Sequence, residues 1–109
     1  MGLTGKETDL VFVSDQEIRL YNKKYLRHDR TTDVIAFPIN ENHCWGEIVI
    51  SLDTAARQAT EQNHSLLKEI KILSIHGLLH LLGYEDHSPK ELKRMWKKTE
   101  ELLQKIEDV

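Results

Sequence analysis

One helix-length segment, residues 66–82, constrains the fold of this chain more than any other part of the sequence. From residue 72 onward it is apolar on every side of a helix except for Ser74, Gly77 and two histidines. A helix that is apolar all round must be buried, so we expect it at the centre of the fold. Glycine in a helix interior costs about 1 kcal/mol relative to alanine. A close neighbour at Gly77, such as a strand, would explain why the glycine is tolerated.

The two histidines of this segment, His76 and His80, are four residues apart and therefore lie on one side of the helix. The pair suits tetrahedral zinc, whereas a lone core histidine is more often hydrogen-bonded to a carbonyl group. His87 follows between Gly83, which is expected to end the helix, and Ser88, which is expected to cap the next one. Three imidazoles leave one tetrahedral position free, as in a catalytic zinc site. The spacing therefore predicts a metal centre at His76, His80 and His87.

The rest of the chain predicts an α+β fold, close to α/β, with the element order β-α-β-β-α-α-α. We expect a small mixed three-stranded sheet packed with helices around the metal-binding central helix, and a single domain over residues 1–109. Strands are predicted at 10–13, 34–37 and 45–50, and helices at 15–26, 52–62, 66–82 and 89–106. Pro38 is expected to end the second strand, which should pair antiparallel with the third. Helix starts are predicted from capping serines, which are Ser14, Ser51, Ser65 and Ser88.

Composition excludes several classes of protein. The single cysteine, Cys44, cannot form an internal disulfide and fits a reducing compartment. The first residues form no apolar signal segment, and no apolar run is long enough to span a membrane. We therefore expect a cytoplasmic protein with no membrane partner.

The formal net charge of −3 argues against broad, charge-driven binding of nucleic acid, but a local basic patch remains possible. Arg19, Lys23 and Arg27 recur every four residues and form one stripe on the predicted first helix. A solvated helix face is the plainer explanation of such a stripe. Phosphate binding requires the stripe to border a cleft.

Three segments in the same order resemble the YbeY family of single-strand-specific metallo-endoribonucleases. Residues 76–87 resemble the family's histidine signature, residues 32–38 resemble its TDVLSFP motif, and residues 46–51 resemble its GDIVIS motif. The resemblance extends from about Val11 to His87. It implies an endoribonuclease that acts on single-stranded ribosomal RNA in ribosome biogenesis. It also implies one zinc ion per chain, or another divalent metal, and contact with a small-subunit ribosomal protein.

The chain departs from the family pattern at two places that bear on the site. The usual ending is GYDH, whereas here Glu85 is an extra residue before Asp86 and His87. Asp86 therefore occupies the position of the third histidine and is the alternative third ligand, although we expect His87. The family's arginine directly follows a tyrosine, whereas here Tyr25 and Arg27 are separated by one residue. We assign Arg27 to the scissile phosphate on this basis.

Other functions are compatible with the same residues. A zinc metallopeptidase of the metzincin type would use a similar histidine pattern, but its general-base glutamate is replaced here by Gly77. A non-catalytic RNA-binding module for ribosome assembly, with a structural metal, is a second alternative. A plain α/β domain whose core histidines are satisfied by hydrogen bonds is the third.

Overall fold

The third strand of the chain is the centre of the sheet. The computed structural model describes residues 7–26, 31–41 and 44–107. Strands β1 (Glu7–Val13), β2 (Val34–Glu41) and β3 (Cys44–Ser51) lie in the order β1-β3-β2. β3 pairs parallel with β1 and antiparallel with β2. The predicted α+β class, the mixed three-stranded sheet and the antiparallel pairing are confirmed.

The four helices begin where their capping serines predict. They are α1 (Asp15–Leu26), α2 (Leu52–Glu61), α3 (Leu66–Leu81) and α4 (Pro89–Glu107). At each helix start the serine hydroxyl accepts a hydrogen bond from the backbone N–H three residues later, and the serines are Ser14, Ser51, Ser65 and Ser88. These bonds satisfy N–H groups that have no partner inside the helix.

The prediction that Pro38 ends the second strand is wrong. β2 continues through Pro38 to Glu41, and Pro38 lies opposite Gly46 of β3. β2 is an edge strand of the sheet, and a proline without an N–H group is tolerated at an edge. Strand β2 therefore includes the polar residues up to Glu41, while residues 42 and 43 are outside the described ranges.

Alternate residues of β3 pack into two separate cores. Val49 packs with Ile18 of α1, together with Val13 and Ile35. Ile48 and Ile50 face the other way and pack with residues of α2 and α3, namely Ala55 and Leu73. Successive side chains of a strand point to opposite faces of a sheet. Consequently α1 covers one face, and α2 and α3 cover the other.

Gly77 is the point of closest approach between α3 and the sheet. A Cβ atom built on this glycine would lie 2.6 Å from Cγ2 of Ile48, so the predicted close neighbour is a β3 side chain. This contact fixes the position of α3 along the strand, and with it the two histidines on either side of Gly77. Across the described part of the chain, no helix combines the length and hydropathy needed to cross a bilayer.

Candidate metal centre

The end of α3 folds back on the helix and brings the following turn towards the histidines. Gly83 has φ +98, a left-handed conformation that favours glycine. The next backbone N–H, that of Tyr84, donates to the carbonyl of Leu79 at 2.9 Å. Residues 85–88 then lead into α4, which packs beside α3 through Met95.

The environment of His80 fixes which ring nitrogen carries the proton. Its Nδ1 lies 3.1 Å from the carbonyl oxygen of Tyr84. A carbonyl only accepts hydrogen bonds, so Nδ1 donates and, in the neutral ring, Nε2 keeps a free lone pair. This arrangement is common in metal-ligating histidines, whose second nitrogen is held by a carbonyl or carboxylate. Nε2 of His80 lies 3.9 Å from Oδ2 of Asp86.

The ring of His76, unlike that of His80, is mostly enclosed. Its Nε2 is buried and has no hydrogen-bond partner among the groups that the structure describes. The indole of Trp96 packs perpendicular to the imidazole, with the ring centroids 4.7 Å apart. Burial lowers the pKa of His76, and the carboxylate of Asp33 opposes that shift. The ring is therefore held towards its neutral form, which is the form that binds metals.

A cavity of about 180 Å³, which we call the histidine cavity, opens between α3, α4 and the start of β2. It is lined by Thr32, Asp33, Val34, His76, His80, Asp86, Leu92, Met95 and Trp96. Three of the residues singled out from the sequence therefore meet here, namely His76, His80 and Asp86. His87 does not line this cavity: its side chain is 77% exposed, and its Nε2 lies 3.8 Å from Oε2 of Glu85.

Within residues 7–26, 31–41 and 44–107, no three histidine, cysteine or carboxylate side chains converge closely enough to hold an ion. Two ligand atoms each about 2.0–2.1 Å from a tetrahedral zinc lie about 3.3 Å apart. The 3.9 Å between Nε2 of His80 and Oδ2 of Asp86 is longer than that separation by about 0.6 Å. Two imidazoles beside a carboxylate, one of them with an unpartnered buried nitrogen, are a donor set of the type that binds zinc.

The basic stripe lies mostly away from this cavity. Arg27 is in the range 27–30, outside the described residues. Arg19 and Lys23 are exposed on α1, which covers the sheet face opposite α3, and neither of them lines the histidine cavity. The spacing of Arg19 and Lys23 predicted a shared face of α1, but that face does not border the histidines.

Asp33 and Trp96 line the cavity, although neither was a candidate site residue in the sequence. Asp33 belongs to segment 32–38, which resembles a family motif. Its position directly before a buried strand could have indicated a site residue. Its carboxylate accepts hydrogen bonds from the backbone N–H of Val34 at 2.8 Å and from Nε2 of Gln58 at 3.2 Å. Trp96, on α4, is 43% exposed and forms part of the cavity wall.

Comparisons with known proteins relate this chain to one family. The family model described as Endoribonuclease YbeY matches residues 3–107 of this chain. An endoribonuclease YbeY from Aquifex aeolicus is 42% identical over 104 residues, which cover 92% of this chain and 69% of that protein. One from Acholeplasma laidlawii is 43% identical over 102 residues, covering 92% of this chain and 74% of the relative.

A solved structure supports the same relationship. The solution structure of a Thermotoga maritima protein superimposes with a TM-score of 0.66 at 32% identity. The match covers 94% of this chain and 70% of that chain. The resemblance found in the three sequence segments is confirmed, and the chain belongs to the YbeY family of endoribonucleases.

Proposed function

We propose that this endoribonuclease is metal-dependent and cleaves single-stranded RNA during ribosomal RNA maturation, with a zinc ion held by His76 and His80. The unpartnered, buried Nε2 of His76 is the observation that carries the proposal. A buried polar atom without a partner costs about 1–3 kcal/mol. A metal bound there would remove that cost, and the neighbouring Nε2 of His80 is left free by the bond from Nδ1 to Tyr84.

The third ligand comes from the turn that follows α3. His87 is the ligand that we expect from its type, and Asp86 is the alternative. The distance of 3.9 Å between His80 and Asp86 supports Asp86. His87 would have to rotate away from Glu85 and enter the cavity. The choice matters because an aspartate adds a negative charge to the site, whereas a neutral imidazole does not.

The residues of the cavity divide the chemistry between them. When bound, zinc polarises a phosphoryl oxygen and lowers the pKa of a coordinated water to about 7. Tyr84 holds the His80 ring through its carbonyl group, and burial lowers the pKa of His76, which favours its neutral form. Asp33 is a carboxylate fixed in the same cavity, where it can accept the proton of the attacking hydroxyl group. Arg27 would bind the scissile phosphate, a role that rests on its place in the family motif.

Further parts of the proposal rest on family membership. We place the protein in the cytoplasm, with ribosomal RNA as substrate and a small-subunit ribosomal protein as partner. Residues 1–109 form one domain in this proposal. Another divalent metal in place of zinc is compatible with the same donor atoms.

Peptidase activity is disfavoured by a steric observation. The glutamate that serves as general base in the metzincin pattern would stand at Gly77. Any side chain there would collide with Ile48, because even a Cβ atom would lie 2.6 Å from Cγ2. A non-catalytic assembly module has no comparable observation in its favour.

Metal analysis and RNA cleavage on four proteins test the proposal. Wild type is expected to bind one zinc per chain and to cleave single-stranded RNA, while His80→Ala loses both properties. Asp86→Ala and His87→Ala are the matched pair for the third ligand, and only one of them should lose the metal. Full metal content in His80→Ala would disprove the site, and cleavage of casein with intact RNA would disprove the substrate class.

A further inference from the structure

A second cavity adjoins the histidine cavity. It has a volume of about 300 Å³, and its lining includes Asp33, Gln58, His64, Glu69, His76 and Trp96. We call it the glutamine cavity, after Gln58. The two cavities share Asp33, His76 and Trp96, so a molecule in one lies directly beside the other. The volume is at the lower end of the range for small-molecule sites, about 300–1,000 Å³.

Trp96 lines both cavities. One edge-to-face contact holds its indole against His76, yet 43% of the residue is exposed. Its neighbours on α4, Met95 and Thr99, are almost completely buried, so the helix is anchored while the indole remains accessible. An accessible aromatic ring beside a phosphate-cleaving centre is a surface on which an unpaired base can stack.

Beside the apolar Ile72 and Leu73, the glutamine cavity has polar lining residues that form hydrogen bonds with each other. Nε2 of Gln58 donates to Asp33, and because a carboxylate can only accept, this bond fixes the orientation of the amide. The other amide atom, Oε1, is buried and has no hydrogen-bond partner in the described ranges. His64 and the buried Glu69 bind each other at 2.6 Å at the same cavity. A ligand with both an aromatic face and N–H donors at its edge matches this lining.

We infer that the glutamine cavity is a nucleobase subsite, in which the base next to the scissile phosphate stacks on Trp96 and donates a hydrogen bond to Gln58. The inference rests on the proposed function, because it places the base relative to a phosphate at the histidine cavity. Trp96 binds substrate through its ring and Gln58 selects the edge of the base. Recognition of an unstacked base requires a single strand, since a base within a duplex has no free face.

Abasic substitution in the RNA tests the subsite. A short single-stranded oligomer, in which each position in turn lacks its base, is offered to zinc-loaded wild type, Trp96→Leu and Trp96→Phe. Trp96→Leu is expected to raise KM and the dissociation constant about 5- to 150-fold, the range for losing one stacked base. Its kcat and zinc content should match those of wild type. Trp96→Phe keeps an aromatic ring and should recover most of the affinity.

The abasic scan adds a second condition. Removing the base at one position beside the cleaved bond should weaken binding of the RNA to wild type by a similar factor. Removing the same base should not weaken binding to Trp96→Leu any further. Ile106→Ala, which trims another exposed apolar side chain on α4, is the control and should behave as wild type. Circular dichroism shows whether each variant is folded.

Three outcomes would overturn the inference. Equal KM values for Trp96→Leu and wild type would show that no base stacks there. If removing a base weakened binding equally in wild type and Trp96→Leu, that base would not stack on Trp96. Loss of zinc from Trp96→Leu would mean that the indole supports His76 rather than substrate. If wild type itself neither binds nor cleaves the intact oligomer, the proposed function fails first, which separates that failure from the failure of the subsite.

Discussion

Two polar clusters in this molecule differ in how completely their hydrogen bonds are satisfied. The first, which we call the Asp15 cluster, lies where α1 and α2 begin. Asp15 accepts bonds of 2.6 Å from the hydroxyls of Ser51 and Thr54 and contacts Arg57 at 2.8 Å. The second is the histidine cavity with the adjoining Gln58. There, two buried atoms, Nε2 of His76 and Oε1 of Gln58, have no partner among the described residues.

The difference separates residues that stabilise the fold from residues that bind a ligand. Satisfied polar groups contribute about 0.5–1.5 kcal/mol per hydrogen bond, and more when one partner is charged. Unsatisfied buried groups lower stability, so they persist where another molecule supplies the missing partner. Substitutions in the Asp15 cluster should therefore change stability, and those in the histidine cavity should change activity.

The largest expected effect is on catalysis. Asp33→Asn keeps the acceptor for Gln58 but removes the carboxylate that we propose as proton acceptor. We expect kcat for cleavage of single-stranded RNA to fall about 100- to 10,000-fold, the usual contribution of a general base. Single-turnover cleavage measures this change, and zinc content and the melting temperature should remain those of wild type.

Asp9→Asn, which removes an exposed carboxylate on β1, is the control for the loss of one negative charge. An Asp33→Asn protein with kcat within about threefold of wild type would contradict the general-base role, for which a loss of at least about 100-fold is expected.

The Asp15 cluster should show a smaller effect, confined to stability. The hydrogen bonds from Ser51, then Thr54 and then Arg57, lower the pKa of Asp15 from 3.8 to about 2. Asp15→Asn weakens these bonds and should lower the free energy of unfolding by about 1–2 kcal/mol. Urea unfolding at neutral pH measures the change, and RNA cleavage should not change.

The pH dependence of that difference sharpens the prediction. Because the pKa in the folded state lies below the usual value, the carboxylate stabilises the fold fully above about pH 4. The stabilisation is lost as the pH falls from about 4 towards 2. The difference between wild type and Asp15→Asn should therefore shrink over this range, and a difference that stays constant would contradict the assignment.

The smallest expected effect is a gain, rather than a loss, in the free energy of unfolding. His76→Leu removes the unpartnered Nε2 from the interior and should stabilise the metal-free protein by about 1 kcal/mol. The same substitution should abolish zinc binding. Urea unfolding in the presence of a chelator measures the stability, and elemental analysis measures the metal. His87→Leu, at an exposed position, is the matched control for stability. A less stable His76→Leu protein would show that His76 is a satisfied core residue, and the contrast between the clusters would fail.

The sequence determined those features that depend on residues within one helical turn of each other. The capping serines placed the start of each helix in the described part of the chain, because a cap bond spans only three residues. The helical period placed His76 and His80 on one side of α3, and the all-round apolar pattern placed that helix in the interior. Gly77 indicated a close neighbour, although the sequence did not identify it as Ile48.

Only the tertiary structure decided which distant residues meet. Pro38 lies inside a strand because β2 is at the sheet edge, and strand order is a long-range property. Asp33 and Trp96 reach the histidine cavity because β2 and α4 both pack against α3. The turn after Gly83 turns Asp86 towards His80 and leaves His87 exposed, although the two residues are adjacent. Local hydrogen bonds can be read from neighbouring residues, whereas the direction of a side chain in a turn depends on the packing of the helices on both sides.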